Sequence, residues 1–318
     1  MDLKNMDIIS AKQFKRDDLE YIMDVAVRIE KNKPQYSNAL NGKILATLFF
    51  EPSTRTRLSF ESAMMRLGGS VLGFQSKEVS SVKKGETLAD TIRTVSNYCD
   101  IIVIRHNKEG AATLASRFGS VPIVNAGSGP GEHPTQALLD LLTIREEFGK
   151  IDGLNIGLIG DLKYGRTVHS LSILLSNYNV NLYLISPEAL RLQFRVMDYL
   201  KRKGIELSES AEKKPMKLKE TKRFRSTLPL LDVIYMTRIQ KERFPDLEEY
   251  ERVKDAFELG ENEMNLLKDG AKILHPLPRI TEIKPEIDDS EHAIYFKQTY
   301  YGLMMRKALL GMVLGGVK

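Results

Sequence analysis

Short apolar runs alternate with helix-patterned segments along almost the whole chain, and few folds accept that alternation. Residues 43–50 (KILATLFF) form one such run, and a helical pattern over 54–67 follows it until Gly68 and Gly69 end it. Ahead of them a helix is expected near 17–29, where Leu19, Ile22, Met23, Ala26 and Ile29 recur at helical spacing. The alternation continues with strands expected at 70–74, 100–104 and 121–124, and helices at 86–98, 108–118 and 134–148. After a polar connection at 149–153 it starts again. Strands are expected at 154–159, 180–185, 231–235 and 271–274, helices at 166–176 and 187–203, and a last apolar helix at 300–314. Apolar strands joined by helices read as parallel sheet. The expected fold is therefore α/β, two open parallel-sheet domains with the active site in the crevice between them. A length of 318 residues agrees with about two domains.

Composition serves mainly to exclude. One cysteine rules out a disulfide framework and any multi-cysteine metal centre. No run of about 18 apolar residues exists to cross a membrane. Residues 1–15 lack the apolar core of a signal peptide, so a cytoplasmic protein is expected. No H-E-x-x-H pattern occurs, and neither metal nor cofactor is expected. Lys and Arg number 47 against 42 Asp and Glu, a formal charge of +5. That mild excess suits small anionic substrates. The densest basic stretch, 213–225, holds Phe224 as its one aromatic and reads as a solvated loop, so no nucleic-acid partner is expected.

In open parallel sheets ligands lie beyond the carboxyl ends of the strands, which directs attention to the loops there. The loop after 43–50 is the most informative. Ser53, Thr54, Arg55, Thr56 and Arg57 place three hydroxyls and two guanidiniums at a helix N-terminus. Free backbone N–H groups, the helix dipole and the fork of Arg55 make that an anion site of phosphate size. A plain N-cap would not explain cations in a first turn, where they oppose the dipole. The glycine-rich stretch 125–131 and the segment 157–161 both miss G-x-G-x-x-G, and no Gly-Lys-Ser/Thr follows, so nucleotide loops are not supported. The polar connection 75–85 is long for a strand-to-helix loop and reads as a lid or binding loop.

The segment FFEPSTRTRLSFESAMMRLGGSVLGF resembles the carbamoyl-phosphate loop and helix of the aspartate and ornithine carbamoyltransferases. Four more segments resemble that family in the same order: SVKKGETLADT, GEHPTQALLDL, GDLKYGRTVHSL and HPLPR. The resemblance implies that 1–134 with 293–318 form a carbamoyl-phosphate domain, to which the C-terminal helix returns, and 135–292 an acceptor domain. It implies that Ser53, Thr54, Arg55 and Thr56 hold the phosphate, with Ser80 (or its neighbour Ser81) and Lys84 reaching in from an adjacent subunit. Arg105 resembles the arginine that bridges phosphate and carbonyl oxygen. His133 resembles the histidine that points at the same oxygen, and Gln136, with Pro276 and Leu277, belongs to the carbamoyl site. Arg55, Thr56, Lys84, Arg105 and His133 are the implied catalytic set.

The amine acceptor would meet Lys84, Arg166, Arg238 and Gln240. Two arginines on two post-strand loops can bind two carboxylates, and aspartate has two. Ornithine has one carboxylate and a cation. Position 276 is Pro, as in the family's aspartate-type loop, where the ornithine type resembles His-Cys-Leu-Pro. Aspartate is thus the expected acceptor, with ornithine or another amine as the alternative, and the expected role is an early step of pyrimidine synthesis. The resemblance also implies a catalytic homotrimer with shared active sites, often allied in the family with a separate regulatory chain.

Overall fold

The computed structural model describes residues 2–74, 85–204, 216–221, 223–241, 244 and 246–318. Two compact units emerge, residues 1–139 with 300–318 and residues 140–299. The chain passes between them inside the helices Pro134–Phe148 and Tyr295–Val313.

In the first unit the strands are β1 (Ile44–Phe49), β2 (Ser70–Phe74), β3 (Ile101–His106) and β4 (Ile123–Ser128). They form one all-parallel sheet in the order β2-β1-β3-β4. Leu45, Ala46, Leu48 and Phe49 of β1 and Ile101 to Ile104 of β3 are buried, as a sheet covered on both faces demands. The C-terminal segment packs in this unit, as expected. Lys307 of the helix Tyr295–Val313 ion-pairs with Glu30 of the helix Arg16–Lys31. Arg306 Nη1 donates to Ser59 Oγ at 2.7 Å, on the helix Thr54–Arg66.

The second unit holds β5 (Asn155–Ile159), β6 (Val180–Ile185), β7 (Met216–Thr221), β8 (Val233–Met236) and β9 (Lys272–Leu274), also all parallel, in the order β7-β6-β5-β8-β9. Its core gathers Ile159, Ile185, Leu228, Leu231, Ile234, Met236 and Ile273.

Two expectations need correction. The stretch 213–225 is not a loop throughout, because 216–221 is an edge strand paired with β6 from Val180↔Met216 to Ile185↔Thr221. In the sequence Met216 and Leu218 alternate with Lys217 and Lys219, a period-two pattern hidden by counting charges. The second correction concerns the strand expected at 121–124, which lies at Ile123–Ser128 and takes in the start of the glycine-rich stretch. β4 continues to Ser128, and every residue of it is buried. Asn125 Nδ2 donates to Ile9 O at 2.9 Å and to Ser128 Oγ at 3.2 Å, while its Oδ1 accepts from Gly127 N at 2.9 Å. A side chain thus supplies the order that glycine-rich composition conceals.

Candidate active site

Parallel strands deliver their carboxyl ends to one edge, and a reversal of strand order opens a crevice there. In the first unit the reversal lies between β1 and β3. Ser53 caps the helix after β1 with extended backbone (φ −160°, ψ 98°), and its hydroxyl makes no capping bond to that helix. No acidic residue stands in the first turn. Thr56 is buried. Arg57 is drawn away from the edge, its Nε 2.6 Å from Glu61, which Thr47 Oγ1 also reaches at 3.0 Å. Arg55, in the same turn, is exposed.

Across the reversal, Arg105 lies within β3, opposite Phe49 of β1. Its Nη2 is 2.7 Å from Glu51 Oε1, and both side chains are part-buried. From β4 the chain turns through Gly129 into the helix Pro134–Phe148. Gly129 has φ +51°, and a Cβ there would stand 2.6 Å from Glu109 N, so glycine is required. His133 is 3% exposed and Gln136 8%. His133 Nδ1 lies 3.4 Å from Thr135 Oγ1. Sequence reasoning missed Glu132 beside it. Its two oxygens accept from Ser10 Oγ and Ala11 N, each at 2.7 Å, and pin this loop to the N-terminal segment. The structure thus brings residues 53–56, Arg105, His133 and Gln136 to one sheet edge. A cavity of about 500 Å³, lined by Phe50, Glu86, His106 and Lys108 among others, lies beside it. Ser80, Ser81 and Lys84 lie outside the described residues.

In the second unit the reversal lies between β5 and β8. Arg166 opens the helix after β5 and is 9% exposed. Arg238 and Gln240 follow β8, and Pro276 and Leu277 follow β9, so all belong to one edge. Gly160 (φ +111°) would press a Cβ to 2.3 Å from Thr237 O, so the two loops meet backbone to backbone. Asp161 fastens them further. Its N–H donates to Thr237 Oγ1 at 3.1 Å, its Oδ1 accepts from Tyr164 N at 2.8 Å, and the Gln240 backbone also bonds its carboxylate. Burial pushes the Asp161 carboxyl up to about 6 despite those donors. Its Oδ2 has no hydrogen-bond partner among the described residues. No motif count distinguishes Asp161 from an ordinary turn aspartate.

Residues 6–146 match the family model described as "Aspartate/ornithine carbamoyltransferase, carbamoyl-P binding domain", and residues 152–313 match its "Asp/Orn binding domain". The chain belongs to the aspartate/ornithine carbamoyltransferase family. Within that family it is 54% identical to the aspartate carbamoyltransferase catalytic subunit of Thermococcus kodakarensis, covering 99% of each chain. It is 49% identical to that of Clostridium novyi, covering 98% of this chain and 99% of the other. Among solved structures it is similar to aspartate transcarbamoylase from Trypanosoma cruzi in complex with carbamoyl phosphate and aspartate, with TM-score 0.91, 42% identity and 98% of each chain covered. The same enzyme in complex with N-(phosphonacetyl)-L-aspartic acid gives TM-score 0.88 at 41% identity, over 98% of this chain and 96% of the other.

Proposed function

We propose that the chain is an aspartate carbamoyltransferase, joining carbamoyl phosphate and L-aspartate into N-carbamoyl-L-aspartate and phosphate. The observation that carries the choice of acceptor is the pair Arg166 and Arg238 on adjacent strand ends at the β5/β8 reversal. Two guanidiniums there suit the two carboxylates of aspartate. The relatives, named as aspartate carbamoyltransferases and one of them crystallised with both substrates, support the same reading.

Carbamoyl phosphate is already an activated acyl donor, so the chemistry needs placement and charge stabilisation. Ser53, Thr54, Arg55 and Thr56 hold the phosphate at the helix N-terminus. Arg105, His133 and Thr56 face the carbonyl oxygen, and Gln136, Pro276 and Leu277 the carbamoyl nitrogen. Arg166, Arg238 and Gln240 orient aspartate. The amine nitrogen attacks the carbonyl carbon, and negative charge builds on its oxygen. Collapse breaks the carbon–oxygen bond to phosphorus and releases phosphate, itself an acceptor in place for the amine proton. Ser80 and Lys84 belong to the same scheme from a neighbouring subunit of a homotrimer. The relatives' designation as catalytic subunits supports a separate regulatory chain as a further partner.

A substrate panel tests the reading. Carbamoyl phosphate with aspartate should release phosphate, and ornithine or N-acetyl-ornithine should not replace it. Turnover on ornithine exceeding that on aspartate overturns the assignment.

A further inference from the structure

A buried polar chain runs beneath the strand ends of the second unit, and the reaction scheme above does not use it. Tyr235 of β8 donates its hydroxyl to Asp140 Oδ2 at 2.8 Å and also bonds Thr167, the neighbour of Arg166. Gln298 Nε2 donates to Asp140 Oδ1 at 2.6 Å. Gln298 Oε1 accepts from His275 N at 2.9 Å. The His275 ring then reaches two ways: its Nδ1 accepts from Leu277 N at 2.7 Å, and its Nε2 lies 2.8 Å from Glu282 Oε1. Tyr235, Asp140, Gln298 and His275 are all at most 2% exposed.

These bonds settle the state of the imidazole. A backbone N–H can only donate, so Nδ1 is bare, and Nε2 carries the proton it gives to Glu282. Glu282 Oε2 accepts from Ile280 N and Thr281 N, each at 3.1 Å, so the carboxylate is itself fixed. The position so held is a costly one. Leu277 has φ +53°, a left-handed conformation that disfavours a residue with a Cβ. Such a conformation persists where surrounding bonds over-determine it, and strain of this kind gathers at working loops.

We propose that His275 is a positioning residue for carbamoyl transfer: it holds the Leu277 amide and so aims the peptide groups of Pro276 and Leu277, while Gln298, Asp140 and Tyr235 tie that loop to the strand ends carrying Arg166 and Arg238. The inference rests on the functional reading above, in which Pro276 and Leu277 meet the carbamoyl nitrogen. It adds a residue that contacts no substrate and a relay that sets three loops in one register.

Two half-substitutions separate positioning from mere packing. His275→Asn puts an amide oxygen near the place of Nδ1 and keeps an acceptor for Leu277 N–H while abandoning Glu282. His275→Gln reaches Glu282 and abandons Leu277. Steady-state kcat and KM with carbamoyl phosphate and aspartate, the affinity for inorganic phosphate, and Tm should be measured for each. His275→Gln should lose about 10²-fold in kcat, since a misplacement of about 1 Å has that effect, and His275→Asn should stay within about 10-fold of the wild type. Both should bind inorganic phosphate as the wild type does. A Gln variant as active as the Asn variant, or losses that follow Tm and phosphate affinity, would overturn the proposal. Tyr235→Phe deletes one hydroxyl and keeps the ring. It should lower kcat several-fold, and an unchanged kcat there sinks the relay even if neither His275 variant folds. A wild-type chain that does not carbamoylate aspartate removes the functional reading and this inference together. An active wild type with the wrong ranking removes the inference alone.

Discussion

Arg105 shows how one side chain can serve both the fold and the reaction. Glu51 holds its guanidinium at 2.7 Å, so the fork is oriented by a partner on the neighbouring strand end. Under the proposed chemistry that fork faces the oxygen on which charge develops. Arg105→Ala should cut turnover by at least ~10²–10³, the effect of losing a preorganised oxyanion donor. Circular dichroism should be unchanged, because Glu51 is partly exposed and water can take the place of its partner. Near-normal turnover in a folded variant removes Arg105 from the mechanism. Asp161 makes a different prediction. Burial raises its carboxyl from 3.8 to about 6, so the folded state holds the proton more tightly than the unfolded chain. Its contribution to stability is full below about 3.8 and is lost as pH rises through about 6. A rise from 3.8 to about 6 corresponds to an effect on the order of 3 kcal/mol. Asp161→Asn has no charge to bury. Measured by denaturant titration, its stability relative to the wild type should therefore improve from pH 4 to pH 8. A difference that stays constant with pH shows that Asp161 does not titrate in that window. Arg55 and His133 could be nominated from the sequence because they lie inside quoted motifs, and Arg105 only because it follows the strand expected at 100–104. Glu132, Asp161 and His275 were not nominated, because Ser10 and Ala11, Thr237, and Gln298, the partners that give them a role, lie in segments that only the folded chain brings near.

At the scale of elements, alternation was readable wherever strand and helix differ in period. The runs 43–50 and 154–159 stand as β1 and β5, and the helix expected at 134–148 stands as Pro134–Phe148. What failed was composition used as a proxy for geometry. Glycines concealed the end of β4, and lysines concealed β7. The order of strands lay beyond local pattern, since pairing depends on contacts far apart in sequence. Yet that order explains why the candidate loops matter, because it places the reversal of each sheet beside them. The C-terminal helix offers a test at this scale. Lys307 is buried and meets Glu30, which Lys33 and Tyr300 also engage. Burial alone would raise the Glu30 carboxyl, but those partners outweigh it and hold it at about 2, against 4.5 unperturbed. A depressed carboxylate gives stability that is full above about 4.5 and is lost as pH falls toward 2. Lys307→Met should cost about 1.5–3 kcal/mol at pH 7, the range for a charged hydrogen bond. That deficit should shrink steadily below pH 4.5. A deficit that persists undiminished at pH 2.5 assigns the loss to packing of the lysine stem.

For the whole molecule, the proposed homotrimer makes a quantitative demand. If each subunit lends the loop carrying Lys84 to the next, every site combines the body of one subunit with the loop of another. Lys84→Ala then spoils only lent loops, and Arg105→Ala spoils only bodies. Consider a ring assembled from both variants. A site made from the body of a Lys84→Ala subunit and the loop of an Arg105→Ala subunit carries neither substitution. Every mixed cyclic trimer has one such site whichever variant is in the majority. Random equal mixing makes about three quarters of the rings mixed, so about a quarter of the wild-type sites should return, by the closed-ring geometry. The subunits must be dissociated and reassembled together, and each variant reassembled alone must stay inactive. Phosphate release in the presence of carbamoyl phosphate and aspartate reads the outcome. If mixed trimers form, shown by mass-tagged subunits, and the activity remains that of the parents, Lys84 works within its own chain and sites are not shared.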